Sequence, residues 1–371
     1  MTSMDSALVS ARLKQLQTLA DRADVDAILI SPGPDLRYLI GYDAVPLERL
    51  TCLVVPRQGD AKLVVPRLEE LAALASPAGD AGVDVLTWGE TDDAYSLVMA
   101  LVHDASNVAV DNRMWAEKVL HLRSAAPHVA QVLAGPLIDT MRVRKEVHEI
   151  EALTRAAAAI DRVHAQVPGL LQSGRSEREI GDSIAELILA EGHIRVDFVI
   201  VASGPNGASP HHEVSDRILV EGDPVVVDIG GTMPDGYRSD CTRTYAVGDP
   251  GEEYRAFYAH LQRSQEAAVA AVKPGVTCSS IDATARSALT DAGMGRLFIH
   301  RTGHGIGLET HEAPYIVEGN FLPLEPGMAF SVEPGFYVEG RFGARIEDIV
   351  VVGVDGPIVL NHGTRDLVVV K

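Results

Sequence analysis

Cysteine, tryptophan and positive charge are all scarce in this chain of 371 residues. The three cysteines, Cys52, Cys241 and Cys278, are far apart and form no CxxC pair. They fit a reducing compartment, where disulfides rarely persist. Lys and Arg total 32 against 52 Asp and Glu, a formal charge of −20. Such a field repels nucleic acid and anionic membrane surfaces, so neither is expected as a partner. No apolar run approaches the roughly 18 residues of a membrane span. The opening residues MTSMDSALVSARLKQ lack a basic segment followed by an apolar one, so no secretory signal is expected. Nucleotide loops of the GxGxxG or GxxxxGK[ST] type are also missing. With 46% hydrophobic residues the composition is globular, and the length suits two domains. A soluble, acidic, cytoplasmic protein is the expectation.

The first part of the chain alternates between strand and helix patterns. Ser6 to Ala23 carries Leu8, Leu13, Leu16 and Leu19 at near-helical spacing. Apolar runs at Val25–Ile30, Leu53–Val55, Lys62–Val65, Val83–Leu86 and Val108–Val110 read as strands. Helical stretches near 92–103 and 115–123 fall among them, and Ser31-Pro-Gly-Pro34 reads as a turn. A sheet covered by helices is expected over residues 1–142, with Trp88 and Trp115 in its core. From Lys145 the pattern changes. A helix runs to Pro168, and a second, 176–191, opens on the capping box Ser176-Glu-Arg-Glu179. Strands at Phe198–Ala202, Val225–Ile229 and Thr242–Val247 follow, then helices 253–272 and 279–292 and strands near 329–333 and 344–352. Helix–helix–strands thus occurs twice, as a duplicated α+β unit would give.

Acidic residues in these later strands carry the chemistry. Val225-Val-Val-Asp228-Ile-Gly-Gly231 and Ser239-Asp240-Cys-Thr-Arg-Thr-Tyr245 flank the turn Met233-Pro-Asp-Gly236. A hairpin about position 234 sets Asp228 opposite Asp240, with Cβ atoms about 5 Å apart. Phe330-Ser-Val-Glu333-Pro-Gly335 and Ala344-Arg345-Ile-Glu347-Asp348 repeat the construction about Gly340, and alternation sends Asp348 to the other side. Carboxylates this close repel unless a cation lies between them. Thr302-Gly-His304-Gly-Ile-Gly adds an imidazole among glycines. Taken singly, each acid reads better as a salt-bridged structural residue, and His304 as a satisfied core histidine. Two hairpins with matched acid pairs plus this histidine favour a two-metal site instead. The hard, oxygen-rich donor set suits Mn²⁺ best, with Co²⁺ and Zn²⁺ also acceptable.

The strings VVVDIGG, SDCTRTY, RTGHGIGLETHEAP, PGMAFSVEPG and ARIEDIVVV resemble the pita-bread metallopeptidases, the M24 group of methionine aminopeptidase, aminopeptidase P and prolidase. They fall in the family's order over about residues 140–365. VASGPNGASPHH, 201–212, resembles the Xaa-Pro branch, and Ile40-Gly-Tyr42 with 48–55 resembles the domain that precedes the catalytic one in prolidase and creatinase. The resemblance implies an α+β pita-bread catalytic domain over 143–371 behind a smaller creatinase-like α/β domain over 1–142. It implies that Asp228 ends one metal site, that His304 and Glu333 hold the other metal, and that Asp240 and Glu347 bridge both. His211 and His311 stand where substrate-binding histidines stabilise the tetrahedral intermediate, and Arg345 where an arginine orients a ligand or the substrate. Tyr315 follows HEAP where some prolidases carry a basic residue. The expected reaction is hydrolysis of the bond before proline in short peptides, by a hydroxide bridging two divalent metals. Glu333 is the expected proton acceptor and His212 has no role. Xaa-Pro dipeptidase is preferred. Aminopeptidase P, a creatinase-like hydrolase and a non-catalytic binding module are the alternatives, and a homodimer is expected.

Overall fold

A computed structural model describes residues 4–371 of the chain, which divide into compact units at Arg142/Val143. The first unit is built on a six-stranded mixed sheet. Its strands are β1 (Ala27–Ile30), β2 (Cys52–Pro56), β3 (Lys62–Pro66), β4 (Asp84–Trp88), β5 (Asn107–Val110) and β6 (Ala130–Leu133). Their spatial order is β4-β3-β2-β1-β5-β6, with β1 antiparallel to β2 and parallel to β5. Helices α1 (Ser6–Arg22), α2 (Pro34–Ile40), α3 (Glu70–Leu74), α4 (Pro77–Asp80), α5 (Ala94–Ala100), α6 (Ala116–Ala125) and α7 (Gly135–Arg142) complete it. Pro34, read as turn punctuation, instead opens α2 at its first position, where the missing N–H costs nothing. Trp115 is not a core residue: it precedes α6 and is 44% exposed.

The second unit repeats one plan twice. Helices α8 (Val147–Gln166) and α9 (Glu177–Ala190) pack on a sheet of β7 (Arg195–Ser203), β8 (Pro224–Thr232) and β9 (Arg238–Val247). Ile160, Ile180, Ile184 and Ile188 of the helices meet Val225, Val227, Ile229 and Cys241 of the strands. Helix α9 starts on the expected box, Ser176 bonding the Glu179 N–H and Glu179 returning to that of Ser176. Helices α10 (Glu252–Ala271) and α11 (Cys278–Asp291) lie in the other apolar cluster. Their sheet has β10 (Gly303–Gly305), β11 (Glu312–Ile316), β12 (Ala329–Val332), a two-stranded extension of β13 (Gly335–Val338) and β14 (Phe342–Arg345), and β15 (Asp348–Val352). Strand β16 (Pro357–Val359) edges this sheet, and β17 (Val368–Val370) edges the other.

Strand alternation separates core from site. On β8 and β9 the odd positions Val225, Val227, Ile229, Cys241 and Tyr245 enter the core, so Asp228, Asp240 and Thr242 share the opposite face. The hairpin register differs from expectation by two residues: Asp228 pairs with Thr242 and Asp240 with Gly230. The loop turns about Asp235, through Pro234-Asp235-Gly236 with Gly236 at φ 91°, rather than about position 234. A slip of two keeps each side chain on its face, so the acids remain diagonal neighbours. The second pair keeps its expected register, Val332 with Asp348 and Gly335 with Arg345. The expected strand 344–352 is nevertheless broken at Ile346-Glu347. Pro334 has no N–H to continue the ladder there.

Candidate metal centre

Asp228, Asp240, His304, Glu333 and Glu347 all line one cavity of about 900 Å³ in the second unit, together with His211, His311 and Arg345. Atoms of Asp240, His304 and Glu347 lie within 4.8 Å of one another. His304 Nε2 stands 3.2 Å from Glu333 Oε1 and 3.7 Å from Asp240 Oδ2. Its Nδ1 lies 3.1 Å from the Gly305 carbonyl, an acceptor, which places a proton on Nδ1 and turns Nε2 toward the acids. Gly303 is needed beside it: a Cβ there would sit 1.8 Å from the Ser331 carbonyl oxygen.

Backbone bonds clamp each glutamate to a segment bearing another of the predicted site residues. The Glu333 N–H donates to the Thr302 carbonyl at 2.8 Å, and the Glu347 N–H donates to that of Thr242 at 3.1 Å. Side-chain hydroxyls then aim the carboxylates: Ser331 Oγ donates to Glu333 Oε1 at 3.0 Å and Thr242 Oγ1 to Glu347 Oε2 at 2.7 Å. Arg345 is buried and occupied, donating to Asp228 Oδ2 (2.5 Å), Tyr337 Oη (2.7 Å) and Thr242 Oγ1 (3.1 Å). It therefore orients Asp228 directly. Asp348 points away, as alternation requires, and is held by Arg243, Gln265 and Arg365.

One guanidinium does not satisfy four acids, three of them buried. Burial, then repulsion from Glu347, Asp228 and Glu333, pushes the Asp240 carboxyl well above its usual range. Burial, then Glu333 and Asp228, does the same to Glu347. Burial would raise Glu333 too, but the hydrogen bond and attraction of His304 outweigh it and bring Glu333 down to about 2. Asp228 Oδ1 is buried and accepts no hydrogen bond. An orphaned carboxylate oxygen, two acids under mutual repulsion and an imidazole nitrogen facing them are donors that suit a hard divalent cation.

His211 is exposed on the loop before β8, and His311 precedes β11 with its ring centroid 3.9 Å from that of His304. Desolvation, then His304 and Arg301, brings His311 down to about 4, so it is neutral at pH 7. His212 is not merely solvated: its Nε2 lies 2.8 Å from Oε2 of buried Glu177. Glu177 also accepts from Ser203, Asn206 and Ser215, tying down the loop that carries His211. Sequence reasoning missed Glu177, Thr242, Ser331 and Tyr337. Thr242 and Ser331 each stand two residues from an acid, hence on its face, and that spacing was the available signal.

This fold, with buried carboxylates and an imidazole gathered on one cavity, is that of a pita-bread metallohydrolase behind a creatinase-like first domain. The chain belongs to metallopeptidase family M24: the profile of that family matches residues 151–353, and that of the Creatinase/Prolidase N-terminal domain matches 12–144. The chain is 50% identical to the probable dipeptidase PepE of Mycobacterium tuberculosis over 367 residues, 99% of this chain and 98% of the relative. The crystal structure of dipeptidase PepE from Mycobacterium ulcerans superposes with a TM-score of 0.95 at 51% identity, covering 99% of each chain. A recombinant prolidase from Thermococcus sibiricus gives 0.91 at 35% identity, covering 99% of this chain and all of the other.

Proposed function

We propose that this chain is a metal-dependent Xaa-Pro dipeptidase, hydrolysing the peptide bond before proline in dipeptides. The convergence of Asp228, Asp240, His304, Glu333 and Glu347 on one cavity carries the reading. Relatives that match along nearly the whole chain and are named dipeptidase or prolidase support the substrate class. These five side chains would hold two divalent cations, Asp228 on one, His304 and Glu333 on the other, Asp240 and Glu347 between them. Bound there, the cations polarise the scissile carbonyl and lower the pKa of a water to near neutrality.

The chain's own groups do the rest. Glu333, ionised and beside His304, takes the proton of the attacking water and delivers it to the proline nitrogen, which leaves poorly as an anion. His311, neutral at working pH, and His211 on the loop donate hydrogen bonds to the oxygen on which charge develops, a contribution of a few kcal/mol. Phe198 and Ile200 of β7 give the cavity an apolar wall for the pyrrolidine ring. Manganese fits the oxygen-rich donors, and the three buried free thiols suit the cytoplasm. The reading includes a homodimer, on the family resemblance alone.

A cavity of about 900 Å³ has room for a longer peptide, so Xaa-Pro aminopeptidase is the second reading. The complete donor set tells against a metal-independent creatinase-like hydrolase or a binding module. Purified protein loaded with Mn²⁺ is assayed on Ala-Pro and on Ala-Pro-Ala, before and after EDTA. Hydrolysis of Ala-Pro that EDTA abolishes and Mn²⁺ restores is expected. Cleavage of the tripeptide alone would overturn the dipeptidase reading.

A further inference from the structure

One cation on the cavity wall has no carboxylate of its own. Of the basic side chains lining the cavity, Arg345 is spent on Asp228, whereas Arg301 makes no ion pair among the described residues. That is unusual in a chain with a formal charge of −20 and at a cavity walled by Asp197, Asp228, Asp240, Glu333 and Glu347. Asp197 is itself taken by Arg195 and Arg238. The Arg301 guanidinium is half-buried and lies 4.6 Å from the centroid of the Tyr315 ring, with Nη2 3.4 Å from His311 Nδ1. An aromatic face holds a guanidinium in place without neutralising it.

We propose that Arg301, held on Tyr315, binds the free α-carboxylate of the leaving proline and so restricts the site to dipeptides. The inference rests on the dipeptidase reading and names the group that makes it a dipeptidase. A dipeptide has one anionic group, and only that group matches an arginine. The spacing agrees. Arg301 touches His311, whose ring centroid lies 3.9 Å from that of the proposed ligand His304, so the guanidinium stands one side chain beyond the proposed metal centre. Scissile carbon and proline carboxylate are separated by three covalent bonds, under about 4 Å, and a carboxylate–guanidinium contact adds a similar length. In a tripeptide the carboxylate moves on by one residue, about 3.8 Å, and a neutral amide takes its place at Arg301.

Wild type, Arg301→Met and Arg301→Lys, all loaded with Mn²⁺, are compared on Ala-Pro, Ala-Pro amide and Ala-Pro-Ala. Losing a charged hydrogen-bond partner should raise KM for Ala-Pro about 10- to 100-fold in Arg301→Met. Its loss on the amide should be at least tenfold smaller, and Arg301→Lys should recover part of the dipeptide preference. A variant that merely displaced His311 would lower kcat equally on all three substrates, and that outcome overturns the assignment. If wild type cleaves Ala-Pro and Arg301→Met keeps the wild-type ratio between dipeptide and amide, the dipeptidase reading stands and Arg301 is excluded. Should wild type fail on Ala-Pro, both fall together.

Discussion

Replacing Asp240 by Asn should make the EDTA-treated protein more stable, although it removes a proposed ligand. Asp240 is 3% exposed and faces Glu347, Asp228 and Glu333, with Arg345 a partial offset. Its folded pKa is raised above its unfolded value, so its penalty is absent below the unfolded pKa near 4. The penalty grows as pH rises toward the folded pKa, by up to about 1.4 kcal/mol per pH unit. Asn has the same shape and no charge, and its removal of one negative charge also relieves Glu347. The stability gap between variant and wild type should therefore widen from pH 5 to pH 8. The opposite contributions of histidines lowered on folding cancel in that difference. Mn²⁺ should narrow the gap: at a hundred times Kd it stabilises wild type by about 2.7 kcal/mol, and the variant by less because its affinity is weaker. Urea unfolding followed by far-UV circular dichroism reads this. Tryptophan fluorescence would not, since Trp88 and Trp115 both lie in the first unit. An EDTA-treated Asp240→Asn no more stable than wild type at pH 8, or a gap indifferent to pH, would refute the idea that unneutralised charge accumulates at this cavity.

Thr242→Val removes the hydroxyl that donates to Glu347 Oε2 at 2.7 Å and accepts from Arg345. Mn²⁺ affinity should fall about 10- to 100-fold by chelator competition, as outer-sphere partners typically give, with much of kcat recovered at saturating metal. Unchanged affinity would show that Glu347 needs no orienting. Glu177→Gln places an amide where a buried carboxylate accepts from Ser203, Asn206, Ser215 and His212. A cost of about 2–4 kcal/mol in urea is expected. A parallel fall in kcat is expected through the loop that bears His211, and a stability loss with full kcat would uncouple that loop from Glu177.

How much of this was legible in the sequence follows from which periods survive error. The turn after Thr232 was misjudged, which slipped the first hairpin by two residues, yet Asp228 and Asp240 stayed on one face because strand parity is two. The Ser176–Glu179 box is local in sequence and was readable as it stands. Strands β10 and β11 were not read, since Gly303-His304-Gly305 and Glu312-Ala-Pro-Tyr-Ile316 carry glycine and proline where propensity favours β-branched residues. Contacts between side chains far apart in the chain, such as Glu177 with His212 and Arg301 with Tyr315, have no periodic signature. Neither pattern nor spacing announces them.

Backbone bonding explains why the acids stay together despite their repulsion. Glu333 and Glu347 face one another in the gap between the Val332–Asp348 and Gly335–Arg345 pairs. Pro334 cannot donate there, so each glutamate N–H turns to another strand, Glu333 to Thr302 beside His304 and Glu347 to Thr242 beside Asp240. These bonds depend on no cation. The fold itself therefore brings the proposed donor atoms together. The electrostatic cost of that placement is carried in advance by the folded chain, held by the two apolar clusters behind the sheets. It is why Asp240→Asn, which removes a proposed ligand, is expected to strengthen the fold once metal is withdrawn.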